Sequence, residues 1–152
     1  MNTVKKEQKV TDKNLFEELF EITPEGVALL DIGTLKFIKC NSNASKLLKY
    51  SAADIIGMSL EGISPEFQPD GCKSNEKFME MVLQAVHRRK SVFEWLMKNK
   101  VGKQFMAEVR LVSLLRIGKP WIYFSFVDIT QTKRQEKKMR EQNTDLHEMA
   151  FL

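Results

Sequence analysis

The chain has 152 residues, of which 43% are hydrophobic and 29% charged. That composition supports one ordinary folded domain, excludes a disordered chain and leaves no room for two full domains. The formal charge of +4, from 24 basic and 20 acidic residues, is too small to point to a nucleic-acid partner.

The first thirteen residues are polar, with lysines at 5, 6, 9 and 13, and read as a flexible lead. Leu15, Phe16, Leu19, Phe20 and Ile22 then recur at helical spacing. Asp12 is placed to cap that helix, and Pro24 and Gly26 end it. Residues 27–32 and 36–41 read as two strands joined by a Gly33-Thr34 turn. Asn41-Ser42-Asn43 opens a helix carrying Ala44, Leu47 and Leu48, with Asn41 as its cap. A further helical turn runs through Ala53, Ile55 and Ile56. Residues 58–73 are irregular, and Ser64-Pro65 and Gln68-Pro69-Asp70-Gly71 are turn signals.

Ser74 is placed as the cap of the next helix, whose broad apolar face carries Phe78, Met81, Val82, Ala85 and Val86. Its basic end, His87-Arg88-Arg89-Lys90, suits a helix C-terminus. Strands are expected at residues 92–98, 105–115 and 121–129. The second places Ala107, Val109 and Leu111 on one face and Met106, Glu108 and Arg110 on the other. The third alternates Ile122, Phe124 and Phe126 with Tyr123 and Ser125. From residue 131 the composition turns polar, without Gly or Pro. Met139, Leu146 and Met149 form a sparse heptad seam on a long helix, weakened by Thr132, Gln135 and Gln142.

Element order and motifs together resemble a PAS domain over roughly residues 14–132. Gly26-Val27-Ala28-Leu29-Leu30-Asp31 resembles the first strand and Asn41-Ser42-Asn43-Ala44 the following helix start. Tyr50-Ser51-Ala52-Ala53-Asp54-Ile55-Ile56-Gly57 is similar to the "GYSxxELxG" segment, with Lys49 where glycine is common. Phe93-Glu94-Trp95 and Gly102-Lys103-Gln104-Phe105-Met106-Ala107-Glu108-Val109 resemble the hairpin, and Asp128-Ile129-Thr130 the closing D-I-T. The resemblance implies an α+β fold: a five-stranded antiparallel sheet with helices on one face, an N-terminal helix and a coiled-coil-like C-terminal helix. Residues 1–13 form the lead, 14–130 the sensor domain and 131–152 a linker helix toward a further output domain.

It also implies a non-catalytic sensory module or, alternatively, a ligand-free dimerisation and interaction domain, and no nucleophile–base or metal pattern opposes that. By the same resemblance, Ala28, Leu30, Ala107, Val109, Leu111, Ile122, Phe124 and Phe126 are candidates for the wall of a ligand pocket. Plain core filling is an equal reading of them. The wall is apolar, so any ligand is expected to be small and apolar or weakly polar; its identity stays open. Asp128, Ile129 and Thr130 are the expected signal exit.

Leu146-His147-Glu148-Met149-Ala150-Phe151-Leu152 resembles the "LxxxAxxD" lead-in to GGDEF diguanylate cyclase domains. The sequence ends one residue before that aspartate, which implies a sensor cut from a longer cyclic-di-GMP signalling protein. A histidine-kinase phospho-acceptor box is the alternative, but Ala150 and Phe151 stand where a base and Asn or Thr are wanted. His87 sits beside Arg88 and Arg89, a solvated setting that argues against a haem ligand. Neither Cys40 nor Cys72 lies in an NCRFL-like motif, which argues against a flavin photosensor. The two cysteines form no CxxC pair, so neither zinc nor a secreted disulfide scaffold is expected.

No apolar run reaches the ~18–20 residues that span a bilayer. No apolar stretch follows the N-terminal lysines, as a signal peptide requires. The expected setting is cytoplasmic, without membrane or nucleic acid. The expected partners are an output domain in cis and a second copy, through the helix at 15–22, the linker helix and an outer sheet face anchored by Trp121 and Tyr123.

Overall fold

The computed structural model describes residues 14–150, and their side chains as far as residue 143. The lead at 1–13 with its Asp12 cap, the side chains at 144–150 and residues 151–152 lie outside the described residues. A helix over residues 14–22 (α1) precedes strands β1 (Gly26–Asp31) and β2 (Phe37–Cys40). Helices α2 (Ser42–Leu48) and α3 (Ala52–Ile55), a 3-10 turn at Leu60–Ile63 and helix α4 (Ser74–Arg88) follow. Strands β3 (Lys90–Lys98), β4 (Gln104–Ser113) and β5 (Trp121–Asp128) complete the sheet, and α5 (Thr130–Ala150) leaves it.

The five strands lie in the order β2-β1-β5-β4-β3, and every pairing is antiparallel. Chain neighbours β1 and β2, and β3, β4 and β5, form hairpins, and β5 closes the sheet against β1. The inward residues of β1, β4 and β5 meet Ala44 and Leu48 of α2, Ile55 of α3, Leu60 and Ile63 of the 3-10 turn, and Phe78, Val82 and Ala85 of α4 in one buried cluster. Period-2 strands and a period-3.6 helix thus bury their apolar faces against each other, as the alternation predicted.

A second, smaller cluster forms on the outer face. Phe20 of α1 packs with Val27 and Leu29, and Leu114, Trp121 and Tyr123 lie against them. The N-terminal helix therefore covers the face opposite α2–α4. Ser125, expected to face outward, is only 3% exposed, and Trp121 and Tyr123 are half-buried within their own chain.

Three local expectations are corrected. Lys73, not Ser74, occupies the α4 cap position, without a side-chain capping bond. The Ser74 hydroxyl instead donates to the Pro65 carbonyl, 2.5 Å away, and accepts from Gln68 at 2.9 Å. β4 ends at Ser113, because Leu115–Ile117 turns into a 3-10 helix closed by Gly118 at φ +82°. The irregular stretch contains a 3-10 turn and a tight loop, in which Gln68 N–H donates to Cys72 O at 2.8 Å and Gly71 sits at φ +87°.

Candidate functional site

The eight residues expected to wall a pocket do share one sheet face, and none is more than 3% exposed. Register brings them together. Ala28 lies opposite Phe124 and Leu30 opposite Ile122 across β1–β5, and Val109 opposite Phe126 and Leu111 opposite Phe124 across β4–β5. The space they face is filled by aromatic side chains. Phe124 meets Phe37 edge-on at 5.4 Å between centroids, Phe78 at 6.3 Å and Phe126 at 5.8 Å. Trp95, fully buried, stands edge-on to Phe78 at 5.9 Å and to Phe93 at 5.6 Å. These are favourable ring geometries. Gly26 is required at the start of β1, because a Cβ there would fall 2.5 Å from the Phe126 ring.

Trp95 carries the one polar atom that this arrangement must satisfy, and its indole N–H donates to Ser64 Oγ at 2.9 Å. Gln68 makes a similar tie nearby. Its Oε1 accepts from Leu96 N–H at 2.8 Å, and its Nε2 donates to Leu96 O at 3.2 Å. The side-chain amide thus completes one rung on the outer edge of β3, which is otherwise an edge strand. Sequence reasoning passed over Ser64, Gln68 and Trp95 as site residues. The available signal was an indole on an inward strand position, which requires a buried acceptor somewhere in the fold.

Surface clefts lie elsewhere. One of about 390 Å³ is lined by Glu61, Ser64, Glu66, Lys73 and Lys98 among others. A neighbouring one of about 280 Å³ reaches Leu35, Leu60 and Phe78. A groove of about 430 Å³ between α1 and the sheet is lined by Phe16, Glu17, Leu29, Ile38, Lys39 and Trp121. None of the eight wall residues lines any of the three.

Asn41 is fully buried and ties three elements together. Its Oδ1 accepts from Ala44 N–H at 2.9 Å, which caps α2 as expected, and also from Val27 N–H at 3.0 Å. Its Nδ2 donates to Phe20 O at 2.9 Å and to Glu25 O at 3.1 Å, holding the end of α1. The Ser42 hydroxyl adds a 2.6 Å bond to Glu21.

At the other end of the domain, the D-I-T segment forms a fixed corner. Thr130 N–H donates to Asp128 Oδ1 at 2.9 Å, so the carboxylate caps the turn into α5. Ile129 N–H donates to Met106 O at 2.8 Å, and Met106 N–H donates to Thr130 Oγ1 at 3.2 Å. The start of α5 is thereby bonded to the middle of the β3–β4–β5 sheet. All three expected exit residues are brought together, with Met106 as the partner that sequence did not single out.

Burial pushes the Cys40 thiol above its ordinary range, with Glu21 adding to the shift, and burial also raises the Tyr123 phenol. His87 is exposed in the last turn of α4. Among the described residues no group of three or more metal-ligating side chains occurs.

This strand order, with the helices inserted between the second and third strands, is that of the PAS fold. Residues 14–83 match the sequence model of the PAS domain family. Solved structures extend the likeness over the whole sheet. A PAS domain from Colwellia psychrerythraea superposes with a TM-score of 0.66 at 20% identity, covering 78% of this chain and 97% of its own. The PAS domain of a LuxR-family transcriptional regulator from Burkholderia thailandensis, in complex with ethanol, gives 0.61 at 20% identity, covering 75% and 96%. A PAS domain from a two-component sensor histidine kinase gives 0.63 at 13% identity, covering 79% and 98%. At these identities the likeness is one of fold. No curated protein matches the sequence significantly. The chain has a PAS-like fold, and its residues 14–83 resemble the PAS family in sequence.

Proposed function

We propose that this PAS domain is the sensory part of a cytoplasmic bacterial signalling protein that works as a homodimer and passes its state through α5 to a C-terminal output domain. The observation that carries the reading is the corner at Asp128–Thr130. It bonds the first turn of α5 to Met106 on β4, so a shift of the sheet is passed to the helix. Such a relay requires two packings, one of which the input favours. The dimer reading rests on α1, where Leu15, Phe16, Leu19 and Ile22 are all at least half exposed beside the Phe16–Trp121 groove, and on the heptad seam of α5.

The output domain we favour is a GGDEF diguanylate cyclase, on the resemblance of residues 146–152 to its lead-in. The kinase alternative is supported by the fold likeness to a sensor-kinase PAS domain. The filled aromatic interior favours input through packing at α1 or the sheet surface. A small apolar ligand against Ala28 and Ala107 is the second reading, supported by the small side chains there and by the ethanol held by a similar PAS domain.

The test uses the full-length protein. Asp128→Ala and Thr130→Val should leave the fold intact by circular dichroism but alter cyclic-di-GMP synthesis at least severalfold. Unchanged synthesis in both variants would refute the relay. Light scattering should show a dimer. Native mass spectrometry that retains a bound small molecule would favour the ligand reading.

A further inference from the structure

Beyond Thr130 the next contact between α5 and the sheet crosses two strands. Lys133 Nζ lies 2.6 Å from Glu94 Oε1 on β3 and 3.6 Å from Glu136 Oε2 on its own helix. Glu94 stands directly opposite Glu108 of β4 in the register. Two carboxylates in that relation repel each other. Glu108 has its own cation, Arg110, whose Nη2 is 3.0 Å and Nε 3.2 Å from Oε1. Glu94 has Lys133, which reaches it from a different element. The ion pair of Glu94 therefore exists only while α5 lies down against β3.

We propose that Glu94 and Lys133 form a salt-sensitive clamp that selects the docked posture of α5. The corner at Asp128–Thr130 fixes where α5 starts, and the clamp fixes the direction in which it leaves. This rests on the relay reading above only for its use in signalling; the clamp itself is a property of the domain. The pair is partly exposed, with side chains 36% and 51% accessible, so its effect is that of a surface ion pair, about a two- to fivefold change in the ratio of docked to undocked helix. That is a useful size for a switch, because a modest input can overcome it.

The experiment is a double-mutant cycle on the full chain with Glu94→Gln, Lys133→Gln and both together, plus the swap Glu94→Lys/Lys133→Glu. The readouts are hydrogen exchange of the amides at 133–137 and the distance between spin labels at Lys103 and Glu141, at fixed protein concentration. Each single change should speed exchange about two- to fivefold and broaden the label distance, and the double change should add nothing further. The swap should restore much of the protection, and 1 M salt should make the parent behave like Lys133→Gln. Single variants indistinguishable from the parent, or additive effects in the double variant, would overturn the clamp. If the cycle holds while output in the full-length protein ignores all four variants and both D-I-T variants, the clamp stands and the relay falls. If the D-I-T variants alter output while the cycle is flat, the relay stands without a clamp.

Discussion

Asn41 gives the sharpest test of how the N-terminal helix is joined to the domain. Asn41→Ala removes four hydrogen bonds at once. The α2 cap to Ala44 is lost, and a cap of this kind is worth about 0.5–2 kcal/mol. Val27 N–H, on a fully buried residue, loses the acceptor that Oδ1 provides, at about 1–3 kcal/mol for an orphaned buried donor. Phe20 O, in a buried bond, and Glu25 O, in a partly buried one, lose their donors as well. The expected loss is about 2–4 kcal/mol in urea denaturation at unchanged m-value, with faster hydrogen exchange at residues 15–22. Asn41→Asp separates the two halves of the site. It keeps an acceptor for Val27 and Ala44 but sets a carboxylate against the carbonyl oxygens of Phe20 and Glu25. Asn41→Asp should therefore keep the α2 cap while loosening α1, with an intermediate loss of stability and faster exchange at residues 15–22. An Asn41→Ala loss below about 0.5 kcal/mol, smaller than the weakest cap alone, or unaltered exchange in α1, would refute this account of the junction.

Two further substitutions test the interior and its frame. Ser64→Ala leaves the Trp95 indole N–H without its acceptor in a fully buried setting, and should cost about 1–3 kcal/mol with a shift in tryptophan emission; an unchanged denaturation midpoint would show that the bond contributes nothing. Lys49 closes α2 at φ +59°, exposed and in the left-handed region, so Lys49→Gly should relieve a strain of about 1 kcal/mol, part of it offset by the greater freedom of glycine in the unfolded chain. The melting temperature should rise by a few degrees, and a fall would contradict the assignment.

Strand alternation made most of the core legible in advance. Ile122, Phe124 and Phe126, and Ala107, Val109 and Leu111, fall inward as their period-2 spacing predicts. Asn41 and the D-I-T corner were legible because local side-chain caps depend on residues two or three apart in the chain. What escaped was non-local. Ser64 and Trp95 are 31 positions apart, and Gln68 and Leu96 are 28 apart, so only the folded sheet edge shows why a serine and a glutamine are buried. Ser74 was misassigned because a serine before a helical pattern suits a cap, whereas its hydroxyl is claimed by Pro65 and Gln68. The outer cluster around Phe20 escaped because it pairs α1 with β1 and β5, elements that periodicity alone cannot place on opposite sides of one sheet.

These ties connect the N-terminal helix to the C-terminal one through adjacent strands. β1 and β5 lie side by side within the sheet, and both terminal helices are attached to that pair or its immediate neighbour. α1 is held through Asn41 to Val27 on β1, and β1 begins at Gly26, directly opposite Phe126 on β5. Two residues beyond Phe126, Asp128 turns the chain into α5. The inward side of β5 is packed by rings from β2, α4 and β5 itself, and a close-packed interior of this kind transmits displacement instead of absorbing it. A movement of α1 therefore has a short route: through Asn41 to β1, across the Gly26–Phe126 register to β5, and out at Thr130. At Gly26 even one added methyl group would collide with the Phe126 ring. Gly26→Ala should accordingly disturb the exit as well as the core, and its effect should be visible in the exchange of the first turn of α5, far from the substituted residue in sequence.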